Sequence, residues 1–216
     1  MTEHNFEHMR RAMVASQLRT TGVNDPRVVA AMGAVPRERF VPDDRITVAY
    51  ADALVPLGNG RQLNTPMSLG RLLTEARPRE DDQALVIGAA TGYAAAVLAR
   101  MVRSVVAVEE DAALAAAAKA ALKGTNAKLV EGPLAKGYKK GAPYDLILID
   151  GAVELISDAL VDQLAERGRL VAAILDNGVA RISIGRRGGG GFGTVAVADA
   201  ASAILPGFEK PRGFTF

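Results

Sequence analysis

Two glycines and one glutamate carry the first chemical suggestion. In LVIGAATGYAAAVLAR, residues 85–100, an apolar run stops at Gly88, turns through to Gly92 and resumes as an alanine-rich stretch, and Glu109 closes the next apolar run, SVVAVE. A strand that ends in a turn poor in side chains lets a ligand approach backbone, and an acid about 20 residues further on, at the tip of the next strand, accepts hydrogen bonds from ribose hydroxyls. Gly88, Gly92 and Glu109 fit that order and spacing. The order of strand, turn, helix, strand and terminal acid favours that reading over the other one, a tight strand-to-helix connection in which Glu109 caps the helix that begins at Asp111. Two further carboxylates, Glu131 and Asp150, end apolar runs of their own, where ligands of open α/β sheets bind, and each is otherwise a solvated strand-end acid. His4 and His8 stand four apart near the start, but the chain has no cysteine and no other histidine, so no metal centre and no disulfide is expected.

The elements that must position these residues alternate regularly from residue 67 onward. A helix over 67–77 precedes a strand over 84–88; a helix over 93–101 precedes SVVAVE; DAALAAAAKAALKG precedes AKLVEG; and YDLILID, residues 144–150, is apolar through its middle. Such continuously apolar strands predict a parallel sheet covered by helices on both faces. The tail differs. GRLVAAIL, RISIGRR and TVAVADA are strand-like with little helix between them, and the glycine run at 188–191 joins the last two as a hairpin, so the sheet is expected to close antiparallel. That ending favours S-adenosylmethionine over a dinucleotide as the nucleoside.

Upstream, Phe6, Met9, Met13, Val14 and Leu18 mark a helix over 5–20, and NDPRVVAAMGAV marks a second, capped by Asn24 or Asp25 and ended by Pro36. Residues 43–66 then form a loop with a Gly-Asn-Gly turn at 58–60, long enough to expect a function of its own. The expected organisation is one domain over 1–216, with a helical annex and substrate loop at 1–66 and an α/β core at 67–216.

Composition narrows the class. The chain has 216 residues, 49% of them hydrophobic, and a formal net charge of +2. Its dense basic groups are only Lys139-Lys140 and Arg186-Arg187, which predicts no nucleic-acid surface. The opening MTEHNFEHMRRAMV holds no apolar core of signal-peptide length and nowhere do 18 uninterrupted apolar residues occur, so a cytoplasmic protein is expected; a monomer or weak homo-oligomer is the accompanying expectation.

The whole pattern resembles the protein-L-isoaspartate O-methyltransferase family. MVASQLRTTGVNDPRVVAAMGAVPRERFVP is similar to the family's opening helices and its Pro-Arg-x-x-Phe-Val-Pro segment. YADALVPLGNGRQLNTP is similar to its substrate loop, LVIGAATGYAAAVLAR to its cofactor turn, APYDLILIDGA to its fourth strand and RISIGRRGGGGFG to its late hairpin. The resemblance implies a Rossmann-like S-adenosylmethionine-dependent methyltransferase fold and transfer of a methyl group to the carboxylate of isoaspartyl residues in damaged proteins. An isoaspartyl carboxylate is ionised near neutral pH, so the reaction needs orientation and a water-poor site more than a general base. By position, the resemblance implies Asn64 and Thr65 beside the reacting carboxylate, and Gly88, Ala90, Gly92, Glu109 and Gly132 around the cofactor.

Several of those positions depart from the family's pattern. In GRQLNTP, Asn64 replaces the serine of Gly-Gln-Thr-Ile-Ser-Gln-Pro, with Gln62 and Thr65 also changed. Val86 replaces an acid two places before the first glycine, Ala90 replaces the middle glycine, and Gly132-Pro133-Leu134 replaces a Gly-Asp-Gly that contacts adenine. Asn64 keeps a hydrogen-bond donor. Beside the methyltransferase reading stand a homologue that binds or regulates without methyl transfer, and a nucleotide-linked oxidoreductase, which the family-like opening and late hairpin oppose.

Overall fold

Strands buried on two faces need apolar cover on each, and the computed structural model, which describes residues 3–189 and 191–210, supplies it from different parts of the chain. The elements are α1 (Glu3–Ala12), α2 (Pro26–Ala34), the hairpin β1 (Val55–Gly58) and β2 (Arg61–Leu63), α3 (Pro66–Ala76), β3 (Gln83–Ile87), α4 (Tyr93–Leu98), β4 (Ser104–Glu109), α5 (Ala112–Ala121), β5 (Ala127–Glu131), β6 (Tyr144–Val153), α6 (Asp158–Val161), β7 (Leu164–Asp176), β8 (Val179–Gly188) and β9 (Gly191–Asp199). The main sheet has seven strands in the order β5-β4-β3-β6-β7-β8-β9. Strands β3 to β7 pair in parallel, and β8 and β9 close the sheet antiparallel, the latter pair meeting at Gly188 and Gly191 as the glycine run predicts.

Side chains alternate across the two central strands. Val86, Leu146 and Leu148 face one apolar layer together with Phe6, Met13, Leu18, Val28 and Met32 of the N-terminal helices. Leu85, Ile87, Ile147 and Ile149 face the other, together with Leu160, Leu205 and Phe208. The annex therefore covers one face of the sheet, and the end of the chain covers part of the other. Phe208 is buried, so the C-terminal segment docks back on the sheet there; an expectation of docking for Phe214 and Phe216 lies outside the described residues.

Several boundaries differ from expectation for physical reasons. The first helix is α-helical only to Ala12; Met13–Leu18 is a π-helical stretch, followed by a 3-10 turn over Arg19–Thr21. Its i→i+5 bonding brings residues five apart onto one side, and Met13 and Leu18 are both fully buried there. Asp25 is the cap of α2, accepting from the backbone N–H of Arg27 at 2.8 Å. The 43–66 stretch is not an open loop: it contains a 3-10 segment over Asp43–Val48 and the β1–β2 hairpin. Helix α4 ends at Leu98, short of the expected Met101. Among the described residues no helix is long and apolar enough to cross a membrane, and no group of histidine, cysteine, aspartate or glutamate is arranged to hold a metal ion.

Candidate active site

Strand β3 ends on a turn in the left-handed backbone region, where Gly88 has φ +76° and Gly92 φ +99°. Gly88 and Ala89 both donate their N–H to the carbonyl of Val108, which locks the turn to the end of β4 and brings it beside Glu109. Ala90 occupies the same region at φ +49°, a conformation that disfavours a Cβ. Its N–H donates to Glu109 Oε2 at 2.7 Å.

Glu109 is fully buried. Its Oε1 accepts from the N–H groups of Glu110 at 2.9 Å and Asp111 at 3.0 Å. The guanidinium of Arg61 completes the arrangement, with Nη1 on Oε1 and Nη2 on Oε2, the latter at 2.9 Å. Five N–H donors thus converge on a carboxylate with about four lone-pair sites. Glu109 is not the cap of α5; Asp111 is, accepting from Ala113 and Leu114. The hairpin that delivers Arg61 is fixed at its tip by Asn59, whose Nδ2 donates to Asp111 Oδ2 at 2.8 Å.

A second cluster forms at the end of β6. Asp150 is buried and not the solvated acid that its strand-end position also allows. Asn64 Nδ2 donates to its Oδ1 at 2.7 Å, while Asn64 Oδ1 accepts from the N–H of Ala203 at 2.8 Å. Burial pushes the Asp150 carboxyl up to about 6, against the opposing pull of the Asn64 hydrogen bond and of Arg37 and Arg61. Arg37, also buried, donates from Nε to the carbonyl of Ala49 at 2.7 Å and from Nη2 to that of Asn64 at 2.5 Å, and lies 4.8 Å from the centre of the Tyr93 ring. This holds the 61–66 segment against α4. Thr65 caps α3, its hydroxyl accepting from Ser68 N–H at 3.1 Å. Gly132 donates its N–H to the carbonyl of Glu109 at 3.0 Å, so it borders the same strand tip, whereas Glu131 is exposed.

The chain itself covers the turn. A Cβ on Gly88 would lie 2.8 Å from Leu205 Cδ1, and one on Gly151 would lie 2.5 Å from Leu205 Cγ. Leu205 is held there because Ala152 N–H donates to the carbonyl of Ala203 at 2.6 Å and Leu205 N–H donates to the carbonyl of Ala152 at 2.9 Å. The space these two glycines leave open is filled by a leucine. A groove of about 960 Å³ between α2, α4 and α5 opens elsewhere, lined by Phe40, Ala96, Arg100, Ala120 and Lys123, without any residue of the turn.

Of the positions singled out in the sequence, the fold brings Gly88, Ala90, Gly92, Glu109 and Gly132 to one strand edge, and places Asn64 and Asp150 in contact beside it. Arg61 and Leu205 were not anticipated. Arg61 left one signal: in GRQLNTP it stands where the quoted family motif has glutamine, a new charge next to a turn that must dock somewhere.

A parallel sheet with this strand order, a glycine-bounded turn after its first central strand, an acid at the neighbouring tip and an antiparallel close define the Rossmann-like methyltransferase class. Residues 9–194 match the family profile described as Protein-L-isoaspartate(D-aspartate) O-methyltransferase, and the chain belongs to that family. It is 41% identical over 168 residues to a protein-L-isoaspartate O-methyltransferase of Methanoregula boonei, covering 76% of this chain and 77% of that one. It is 42% identical over 167 residues to one of Methylorubrum extorquens, covering 76% and 73%. Among solved structures, a protein-L-isoaspartate O-methyltransferase superposes with a TM-score of 0.80 at 21% identity, over 92% of this chain and 66% of that one, so this chain spans just under two thirds of its length. A beta-aspartate methyltransferase structure from Plasmodium falciparum, in complex with S-adenosyl-L-homocysteine, superposes with a TM-score of 0.78 at 18% identity, over 91% and 97%.

Proposed function

We propose that this chain is an S-adenosylmethionine-dependent carboxyl methyltransferase that methylates L-isoaspartyl residues in damaged proteins. The observation that carries the reading is the turn itself: Gly88 and Gly92 hold left-handed conformations and place Glu109, the acid suited to a ribose, directly beside the turn. Family membership at about 40% identity over three quarters of the chain supports the reaction class.

In this reading Gly88, Ala90, Gly92, Glu109 and Gly132 border the cofactor, and Asn64 and Thr65 border the substrate. Annex and core work as one domain, since Arg37 ties the 61–66 segment to α4. The partner is a protein or peptide that carries an isoaspartyl carboxylate; nucleic acid has no part, and the protein acts in the cytoplasm as a monomer or weak homo-oligomer.

S-adenosylmethionine does not fit the site in the arrangement described above. The ribose acceptor already has five donors, and Leu205 stands over Gly88.

The test is direct. Purified protein is incubated with methyl-labelled S-adenosylmethionine and a peptide containing one isoaspartyl residue, with the matching aspartyl peptide as control. Base-labile label on the isoaspartyl peptide alone is the expected result; no label on either peptide over a day, with enzyme in excess, removes the reading.

A further inference from the structure

We infer that the chain gates its own cofactor site, with Arg61 on the β1–β2 hairpin and Leu205 on the C-terminal segment acting as a two-part plug that must withdraw before a nucleoside enters. The inference rests on the cofactor reading proposed above and adds a conformational requirement to it.

The first part of the plug is electrostatic. A ribose hydroxyl needs a free lone pair on Glu109, and the two contributed by Arg61 are the ones able to leave, because the donors on Ala90, Glu110 and Asp111 are backbone groups of the turn and the strand end. Arg61 belongs to a three-residue strand of a two-stranded hairpin that makes no ladder with the main sheet. It can move without unzipping β3 to β9.

The second part is steric. Gly88 and Gly151 lack side chains at the edge where a ligand would approach, and Leu205 takes that volume. Its segment follows β9 and has no ladder of its own beyond a single bridge between Ala152 and Ile204. Besides Ala152, the segment is anchored by Ser68 Oγ, which donates to the carbonyl of Ala201, and by Leu155, whose N–H donates to the carbonyl of Phe208 at 3.2 Å.

Asn64 joins the two parts. It lies directly after β2, three residues beyond Arg61, and its side chain bonds both Asp150 and the N–H of Ala203. Withdrawal of the hairpin pulls on the anchor of the C-terminal segment, and withdrawal of the segment removes one of the two partners of Asn64. The parts open together, and the apparent affinity for a nucleoside is the intrinsic affinity reduced by the open fraction.

The experiment is calorimetric titration of S-adenosylhomocysteine into the full chain and into Arg61→Ala and Leu205→Ala, each first checked for native circular dichroism. Alongside it, amide exchange of the unsubstituted protein is measured with and without saturating S-adenosylhomocysteine, so that a variant that fails to fold leaves the question decidable. The plug requires about tenfold or greater tightening in each folded variant, and loss of protection at Ala152, Ala203 and Leu205 when the ligand binds the unsubstituted protein. Equal affinities in all three proteins with unchanged protection overturn the plug and leave the cofactor reading standing. Weaker binding by the variants also overturns it, by making Arg61 or Leu205 part of the ligand's own contact surface. Absence of binding in every form, with folding intact, removes the cofactor reading and the plug with it.

Discussion

Arg61 and Glu109, 48 positions apart in the chain, meet as a buried bidentate ion pair at the centre of the candidate site. The pair ties the only hairpin outside the main sheet, among the described residues, to the tip of β4. A buried carboxylate deprived of its cation costs about 3–5 kcal/mol. Here three backbone N–H groups remain on Glu109, so Arg61→Ala is expected at the lower end, a loss of about 3 kcal/mol in urea unfolding. Because the pair is buried, the loss should be nearly the same at low and high salt, unlike that of an exposed pair. A loss below about 1 kcal/mol, or one that vanishes in salt, means that the guanidinium is solvated and the hairpin is free of the site.

Asp150 gives stability an unusual pH dependence. Burial is the main cause that pushes its carboxyl in the folded chain up to about 6 from an ordinary 3.8. The folded state therefore holds a proton that the unfolded chain has released between these values, and stability falls as pH rises from about 4 through about 6, then stays level. The difference corresponds to about 3 kcal/mol. Asp150→Asn keeps an acceptor for Asn64 and has no proton to lose. Its stability relative to the unsubstituted protein should climb across that window and plateau above it, by denaturant unfolding at a series of pH values. A difference that is flat with pH places Asp150 in contact with water.

Much of this arrangement is legible from the chain alone, and what is not legible has a common cause. The β3–α4 turn, the parallel sheet and the late hairpin follow from local signals: apolar runs of strand length, glycines at the turn, and alternation with helical stretches. Asp25 reads as a cap because an aspartate followed by proline can serve its own helix. Glu109 reads as a candidate because its spacing from Gly88 is itself local. Arg61, Leu205 and the burial of Asp150 depend on contacts between distant segments. Asp150 is adjacent in space to Asn64, 86 positions earlier, and Asn64 to Ala203, 139 positions later. An arginine in a polar loop and a leucine near the terminus each have an ordinary local explanation. The π-helical turn at Met13–Leu18 also escapes periodicity, since a five-residue step between buried side chains reads as an imperfect helix until the partner surface is known.

Ala90 is a side-chain-bearing residue where the backbone favours glycine. At φ +49° its Cβ costs about 1–2 kcal/mol, against which the added chain freedom of glycine in the unfolded state returns about 0.4–1 kcal/mol. Ala90→Gly should thus stabilise the protein slightly, by up to about 1 kcal/mol, with an unchanged dependence on urea concentration. A clear destabilisation in thermal or urea unfolding means that the methyl group packs well enough, in its buried position, to outweigh the strain.

Gly88 and Leu205 are expected to be energetically coupled. A Cβ on Gly88 meets two strains at once: a positive φ of +76°, worth about 1–2 kcal/mol, and a 2.8 Å approach to Leu205 Cδ1, which as overpacking costs about 1–3 kcal/mol more. Trimming Leu205 to alanine removes the second strain and leaves the first, because the three atoms nearest that Cβ all belong to the Leu205 side chain. The double-mutant cycle of Gly88→Ala and Leu205→Ala should therefore give a coupling of about 1 kcal/mol or more, with Gly88→Ala costing less in the trimmed background. Additive losses in urea unfolding would show that Leu205 is not seated over the turn in solution. In that case the space over Gly88 is open, and Arg61 is the side chain that still engages Glu109.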